Sequence, residues 1–467
     1  LKLPFYTKHL KITFILLITT LFLISCQNSN NPSTTKKSSQ TTNQEIILID
    51  INSYGLSQLE YSKHYRQGYQ LAVNEINSSG GINGKRIKVI QKNDSASYIE
   101  GYSVANEANK ETKNQVTAFF GTFVNKSTEG VAKYANENKI PFLAVGSYSD
   151  DIIYKNPSPY VFRIRQGLYP MINYLTTKIS ESNISKSWQV ITYSNEEGKY
   201  ISTTFKNTLN NKLKNSKQII AFSPDITVSH IEQNINSNIL TLAEKSQAEN
   251  IFIAISGYDL QRFFLKYGKK DALINKRVFI LFAGEPEWLD YIGDNETPEN
   301  FYTLGYPWYG INTKEHIAFY NMYESLYEEK PRYSSILGYT TIYLLKAAIE
   351  KNQNLLTEDI KHNREVITKS LENLTITSPL GDVTMRQDHQ TTMPLYEGYL
   401  KLYKQTQMQT ASQKVVLYNL RLNDAKKVDF TNFLPPLSNS LKLIKQRTKE
   451  IEKEQKLKDA SLKATSY

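Results

Sequence analysis

Apolar residues first gather in a run from Ile12 to Ile24 that holds no charge, preceded by Lys2, Lys8 and Lys11. That run is too short to span a hydrocarbon layer about 30 Å thick, but its length and basic lead suit a signal-peptide core. Residues 27–44 then carry no large apolar side chain and have nothing with which to bury a core, so they read as a flexible linker. A folded body is expected from Glu45 onward, where the pattern begins to switch between two periods. "IILIDI" (46–51) is a buried-strand run, whereas Tyr65, Tyr69, Ala72, Val73 and Ile76 recur on one helical face. "GGINGKRIKVI" adds a Gly-rich turn and a second strand, which completes a βαβ unit. A helix over about 97–114, the strand "TAFFG", a helix over 127–138 and the strand "PFLAV" follow in turn. After "YVFRIR" (160–165) a second alternating series places strands at "WQVITY", "QIIAF", "IFIAI" and "VFILF". The pattern predicts an α/β fold of two doubly wound lobes, each built on a mostly parallel sheet covered on both faces.

Past Phe301 the alternation changes character. Helices near 313–329 and 334–350 fit a return to the first lobe, and from about Leu380 "LGDVTM" and "PLYEGYLKLY" read as short antiparallel strands. The expected division is therefore 45–165 with about 301–378 as lobe 1, and 166–300 with about 379–408 as lobe 2. Residues 409–467 form a C-terminal extension, partly helical. Its lysine-rich part beyond Pro436 has a weak apolar stripe at Leu441, Leu443, Ile444 and Ile451, which fits either a solvated helix or one that lies on a membrane or partner. A body of this size exceeds one ordinary core, in keeping with two lobes.

Composition changes this picture little. The formal charge is +11, but it is scattered, and its two clusters, at Lys2, Lys8 and Lys11 and in the lysine-rich tail, lie outside the body, so nucleic acid is not an expected partner. The chain contains 32 tyrosines, which supply rings with polar tips for pockets and interfaces as readily as for ordinary packing. Its 6 histidines show neither paired spacing nor HExxH, so no metal is expected. Nucleophile elbows, phosphate loops and GxGxxG turns are absent from the sequence, and nothing argues for catalysis or a cofactor. Adjacent acids such as Asp150 with Asp151 and Glu196 with Glu197 fit surface solvation better than paired acid–base chemistry.

The single cysteine, Cys26, closes the greasy run in Leu23, Ile24, Ser25, Cys26. This resembles the lipobox of bacterial lipoproteins, with a branched residue and small residues before the cysteine to be acylated. Residues 1–25 are then a signal peptide and 26–44 a lipidated cysteine with its linker; a free structural thiol is the alternative. Each buried methylene contributes about 0.8 kcal/mol, so several acyl chains would hold the protein firmly at a membrane.

"GYQLAVNEINSSGGINGKRIKVIQKND" (68–94) resembles the opening of type I periplasmic solute-binding proteins of the leucine/isoleucine/valine-binding family. Later stretches match further landmarks in order: "FFGTFVNKSTEGVA", "KIPFLAVGSYSDDI", "YVFRIR", "VITYSNEEGKY", "GYTTIYLLKAAIEK" and "SPLGDVTMRQDHQ". The resemblance spans about residues 45–405 and implies the periplasmic binding protein-like I fold, with three hinge crossovers between the lobes. It further implies an exported lipoprotein, in the periplasm or on the outer face of the cytoplasmic membrane. Such a protein binds an amino acid or similar small polar solute between its lobes, delivers it to an ABC permease, and acts as a monomer.

By the same resemblance, Ser127 matches the serine that binds a ligand carboxylate, and Gly146, Ser147 and Tyr148 match a segment offering a carbonyl and donors. Tyr148 stands where the family usually has Thr or Ser, so either Ser149 substitutes or the pocket is reshaped. Tyr61 and Tyr258 match aromatic positions of the cleft. Glu285 lies within one residue of the family acid that pairs with a ligand ammonium. Glu197 departs from an aromatic position, which either adds a carboxylate to the cleft or leaves that side chain in solvent. A rival reading is a lipoprotein that uses this fold to bind a partner protein, such as a peptidoglycan synthase activator, or to sense a ligand. Replacing Cys26 with Ser is expected to move the protein from the membrane fraction to the soluble fraction and to abolish labelling by palmitate. Undiminished membrane retention would count against acylation.

Overall fold

Alternating strands and helices build the first sheet: β1 (Ile46–Asn52), α1 (Leu59–Ser78), β2 (Ile87–Asn93), α2 (Tyr98–Glu111), β3 (Val116–Gly121), α3 (Asn125–Glu137), β4 (Phe142–Ala144) and β5 (Val161–Arg163). The strands pair in the order β2-β1-β3-β4-β5, all parallel. Every residue of β3 is buried, as expected of a central parallel strand with helices on both faces. The computed structural model describes residues 45–465 apart from 56–58, 183–186, 215–219, 230–244, 268–272, 274, 286, 288–300 and 409–413. The expectations for residues 1–44, namely the signal peptide, Cys26 and the linker, lie outside the described residues.

The second series runs α4 (Leu168–Glu181), β6 (Ser187–Tyr193), α5 (Glu196–Leu213), β7 (Ala221–Phe222), β8 (Ile226–Val228), β9 (Asn250–Ile253), α6 (Gly257–Tyr267), β10 (Arg277–Gly284) and β11 (Tyr302–Gly305). These strands are parallel, in the order β7-β6-β9-β10-β11, with β8 also on β6. Trp188 anchors the core of this lobe, where Phe205 stacks on Phe252 at 4.1 Å between centroids. β11 belongs to this sheet, so the second lobe continues past residue 300.

The chain then returns to the first lobe through α7 (Lys314–Tyr327), α8 (Tyr333–Lys351) and α9 (Ile360–Leu371). Arg364 of α9 donates to the Val116 carbonyl at 2.8 Å, and Tyr327 of α7 donates to the Gln67 carbonyl at 2.9 Å. A small hairpin, β12 (Leu374–Ser378) and β13 (Gly381–Met385), precedes the last crossover. Beyond it, β14 (Leu395–Met408) pairs antiparallel with β11, and β15 (Lys414–Val428) pairs with β14 as the edge strand. The region expected to be a C-terminal extension thus supplies a strand to the second sheet before ending in α10 (Leu437–Thr465). Leu441, Ile444 and Ile451 of α10 face Pro159 and Tyr160 around a cavity of about 600 Å³, so the apolar stripe of this helix is turned to lobe 1.

Three crossovers join the sheets, at 164–167, 306–313 and 386–394. The first and third are bonded to each other. Gln390 donates to the Arg165 carbonyl at 2.9 Å, and Gln166 donates to the carbonyls of Thr391 at 3.0 Å and Met393 at 2.8 Å. All these groups are buried, and buried amide donors paired with carbonyls across the two segments make a hinge that holds its geometry.

The return of α8 requires an unusually close approach to α1. A Cβ on Gly68 would lie 2.0 Å from the Ser335 carbonyl oxygen, and one on Gly338 would lie 2.4 Å from that of Tyr65. Gly338→Ala is therefore expected to push the two helices apart and cost about 2 kcal/mol or more, read as a lower urea midpoint. An unchanged midpoint would refute the close packing.

Candidate functional site

The C-terminal ends of parallel strands expose loops whose polar groups are free to meet a ligand or another loop. Here the loops after β3, β4 and β5 of the first sheet face those after β6 and β10 of the second. Two residues after β5 stands Arg165, only 1% exposed; one residue after β10 stands Glu285, 2% exposed. Arg165 Nη2 lies 2.5 Å from Glu285 Oε1, and Nη1 is 3.4 Å from the Gly146 carbonyl oxygen. The guanidinium also rests 3.5 Å from the centroid of the Tyr148 ring. Tyr61, from α1, donates its hydroxyl to Glu285 Oε2, and Tyr148 donates to Oε1 at 3.2 Å. Burial works against the charge on Arg165, but Glu285 beside it holds the guanidinium above its ordinary pKa.

A second contact crosses the junction where α3 and α5 begin. Asn125 Nδ2 donates to Glu197 Oε2 at 2.6 Å, while Asn125 Oδ1 accepts from the Ser147 hydroxyl at 2.7 Å and the Ser149 amide at 3.3 Å. A third links Tyr200 of α5 to Asp150, which its hydroxyl reaches at 3.0 Å. Asp150 is itself paired with the buried Arg163, 3.0 Å away. The bonds of Tyr61 and Tyr148 to Glu285, of Asn125 to Glu197 and of Tyr200 to Asp150 run from one lobe to the other, so the groups that close the junction come from both lobes.

Among the described residues no group of three or more His, Cys, Asp or Glu is placed to hold a metal ion. The junction is instead a set of hydrogen-bonding and charged side chains bordered by rings, Tyr61 lying 5.5 Å from Phe123 between centroids. Such a set can hold a small polar molecule in place.

A sequence profile of the periplasmic binding proteins matches residues 53–404. The chain belongs to the periplasmic binding protein family. Membership places it outside the cytoplasm, among proteins that bind solutes rather than transform them. Solved structures share the fold. A branched-chain amino acid transporter substrate-binding protein from Streptococcus pneumoniae, in complex with isoleucine, is 18% identical, with a TM-score of 0.63 over 80% of this chain and 100% of that one. A solute-binding protein of an ABC transporter from R. palustris, in complex with benzoate, is 16% identical, with a TM-score of 0.63 over 83% and 98%. An amino acid ABC transporter substrate-binding protein from Pseudomonas fluorescens is 16% identical, with a TM-score of 0.67 over 85% and 98%. No curated protein matches the chain.

Within this binding protein, most of the residues expected at the cleft do converge: Tyr61, Gly146, Ser147, Tyr148, Ser149, Glu197 and Glu285. Ser127 does not join them. It is fully buried, its hydroxyl donates back to the Val124 carbonyl at 3.0 Å, and its main chain lies against Gly101 of α2. The residue that α3 presents to the junction is Asn125, two positions earlier. Glu197 is half-buried and faces Asn125 rather than solvent. Ser149 offers its amide to Asn125, while its hydroxyl accepts from the Asp151 amide at 3.2 Å within its own turn. The side chain of Tyr258 lies outside the described residues. Glu285 is bonded to Arg165, so the acid expected to meet a ligand ammonium already holds a cation of the chain itself.

Arg165 is the residue that the sequence reading missed. A signal was present: "YVFRIR" alternates Val161, Arg163 and Arg165 with Phe162 and Ile164 at the boundary between the two series, and a charge buried there needs a built partner. Glu287 is a second omission. It is 1% exposed and its Oε1 accepts from the Ser334 amide at 3.0 Å and hydroxyl at 2.9 Å, which ties the loop after β10 to α8.

Burial, and then the neighbouring Glu285 carboxylate, push the Glu287 carboxyl up from 4.5 to about 7. An acid raised in the folded state holds its proton more tightly there than in the unfolded chain. Its contribution to stability is complete below pH 4.5 and is lost as the pH climbs to about 7. Glu287→Gln keeps the acceptor for Ser334 and removes the titration. Over that window the wild type is expected to lose about 3 kcal/mol more than the variant, measured by urea denaturation at successive pH values. Asp50, raised to about 6, is present in both proteins and drops out of the difference. Parallel pH profiles would refute the assignment.

Proposed function

We propose that this protein is the solute-receiving component of an ABC importer, closing its two lobes on a small polar solute of amino-acid size. The observation that carries the reading is that charged and hydrogen-bonding side chains of both lobes and of the hinge converge at strand C-termini, with the bonds of Glu285, Glu197 and Asp150 crossing the junction. Opening the lobes breaks those bonds while leaving intact the buried amide bonds of the hinge. Closure is then a rotation of two packed bodies, and a membrane permease has a distinct closed face to recognise. An amino acid or a compound of similar size fits a junction bordered by Asn125, Ser147 and the rings of Tyr61 and Tyr148. Acylation at Cys26 would keep the receptor beside its permease at the membrane.

The relatives' ligands, isoleucine in one case and benzoate in another, define a panel rather than an answer. The full chain should be screened by thermal shift against amino acids, aromatic acids, amides and polyols. A true ligand at a hundred times its dissociation constant adds about 2.7 kcal/mol of stability. Asn125→Ala and Ser147→Ala each remove a net hydrogen bond of about 1 kcal/mol, and each should weaken the ligand found by about fivefold to tenfold in calorimetric titration. A panel without a shift would overturn the solute-binding reading, and undiminished affinity in both variants would overturn this placement of the site.

A further inference from the structure

The junction holds two charge seats, and the chain fills both. One is an acceptor cluster: the Glu285 carboxylate, the Gly146 carbonyl and the face of the Tyr148 ring converge on a single point. A carboxylate, a carbonyl and a ring face together are what a cation requires. The occupant is the Arg165 guanidinium, held with almost no exposure to solvent. The other seat lies between two helix starts. Asn125 is the first residue of α3, and Glu197 is the second residue of α5. Helix N-termini and an amide donor together suit an anion. The occupant there is the Glu197 carboxylate, bonded to Asn125 across the junction.

We propose that Arg165 and Glu197 set the specificity of the cleft by occupying its cation and anion seats, so that the solute it takes is an uncharged polar compound bearing hydroxyls or amides, not a zwitterion. The inference rests on the reading of the junction as a solute site and narrows it. A zwitterion entering the cleft must expel both side chains before it gains either seat. Each exchange trades an intramolecular pair for an intermolecular one, and the expelled guanidinium must find a new partner or be rehydrated. An uncharged solute leaves both pairs in place. The polar atoms still without a partner among the described residues include Nε of Arg165 and Oε2 of Glu287, one N–H donor and one carboxyl oxygen, each on a buried side chain. Single donors and acceptors of this kind match hydroxyls and amides.

The test compares the full wild-type chain with the Arg165→Met/Glu197→Gln double variant by calorimetric titration. The probes are neutral-side-chain amino acids on one side, and glucose, myo-inositol, glycerol and acetamide on the other. The wild type is expected to bind at least one uncharged probe more tightly than every amino acid. The double variant, with both seats vacated, should gain affinity of about tenfold or more for at least one amino acid. An amino acid that binds the wild type more tightly than every uncharged probe, or no more tightly to the variant than to the wild type, overturns the proposal. If the variant fails to fold, the wild-type ranking decides alone. If the wild type binds no probe while the variant gains amino acids, the charge-seat assignment stands and the solute-transport reading falls. If neither protein binds any probe, both fall.

Discussion

The bond between Arg165 and Glu285 is the constraint around which the junction is arranged. Taking both charges out of water costs several kcal/mol per ion, and only close geometry with further hydrogen bonds offsets that cost. The structure supplies both: a 2.5 Å contact, hydroxyl donors from Tyr61 and Tyr148 on the carboxylate, and a carbonyl and a ring face on the guanidinium. Loss of either partner would leave a buried charge unpaired, at a cost of about 3 to 5 kcal/mol. Because Arg165 sits on a crossover and Glu285 on the second lobe, the pair fixes the angle between hinge and lobe as well as the chemistry between them.

Around that pair the bonds fall into two classes. Those of Gln166, Gln390 and Arg163 lie within the hinge, are buried, and survive any rotation of the lobes. Those of Tyr61, Asn125 and Tyr200 span the junction and are lost when it opens. Each is a net contribution of about 1 kcal/mol, because water replaces the lost partner. Opening therefore costs a few such bonds and the separation of Glu285 from Arg165, with no loss of either hydrophobic core. That division, a rigid hinge and a breakable junction, is what lets two packed sheets behave as separate bodies.

How much of this was legible in the sequence depended on range. Periodicity located nearly every strand and helix, because a buried parallel strand such as β3 and an amphipathic helix such as α1 declare their faces locally. The return of α7 and α8 onto the first lobe was also readable, since a lobe left without those helices would expose one face of its sheet; α9 was not assigned. The long hairpin was not, although Tyr418, Leu420 and Leu422 of β15 alternate with polar residues: the strand lies beyond residue 405, where the family resemblance ends, and was assigned to the extension. In the site, residues chosen by chain position converged, but Ser127 did not, because a shift of two positions on a helix start turns a side chain from the junction into the packing against α2. Arg165 was passed over because "YVFRIR" was taken only as the boundary between the two alternating series and as a family landmark. Its partner lies 120 residues away, and no local pattern records a pairing at that distance.

A cleft that holds its own cation and anion alters the energetics of recognition. In a site with empty charge seats, the ligand brings the pairs that close the lobes, and closure reports loading directly. Here closure already makes an ion pair and the hydrogen bonds of Tyr61, Tyr148, Asn125 and Tyr200 between the chain's own groups, so the closed form is pre-organised and the solute contributes only its differential contacts. Pre-organisation strengthens binding of whatever fits, because less ordering remains to be done. On the proposed function it also narrows the margin between the empty and loaded closed states, so a permease that distinguished them would read something other than the lobe angle. The groups able to carry that distinction are those at the junction whose bonding a solute changes without breaking the ion pair: the Asn125 amide, the Ser147 hydroxyl and the Glu287 carboxyl. Of these, Glu287 bonds directly to α8 through Ser334, so a solute that engages it acts on a helix packed along α1 of the opposite lobe.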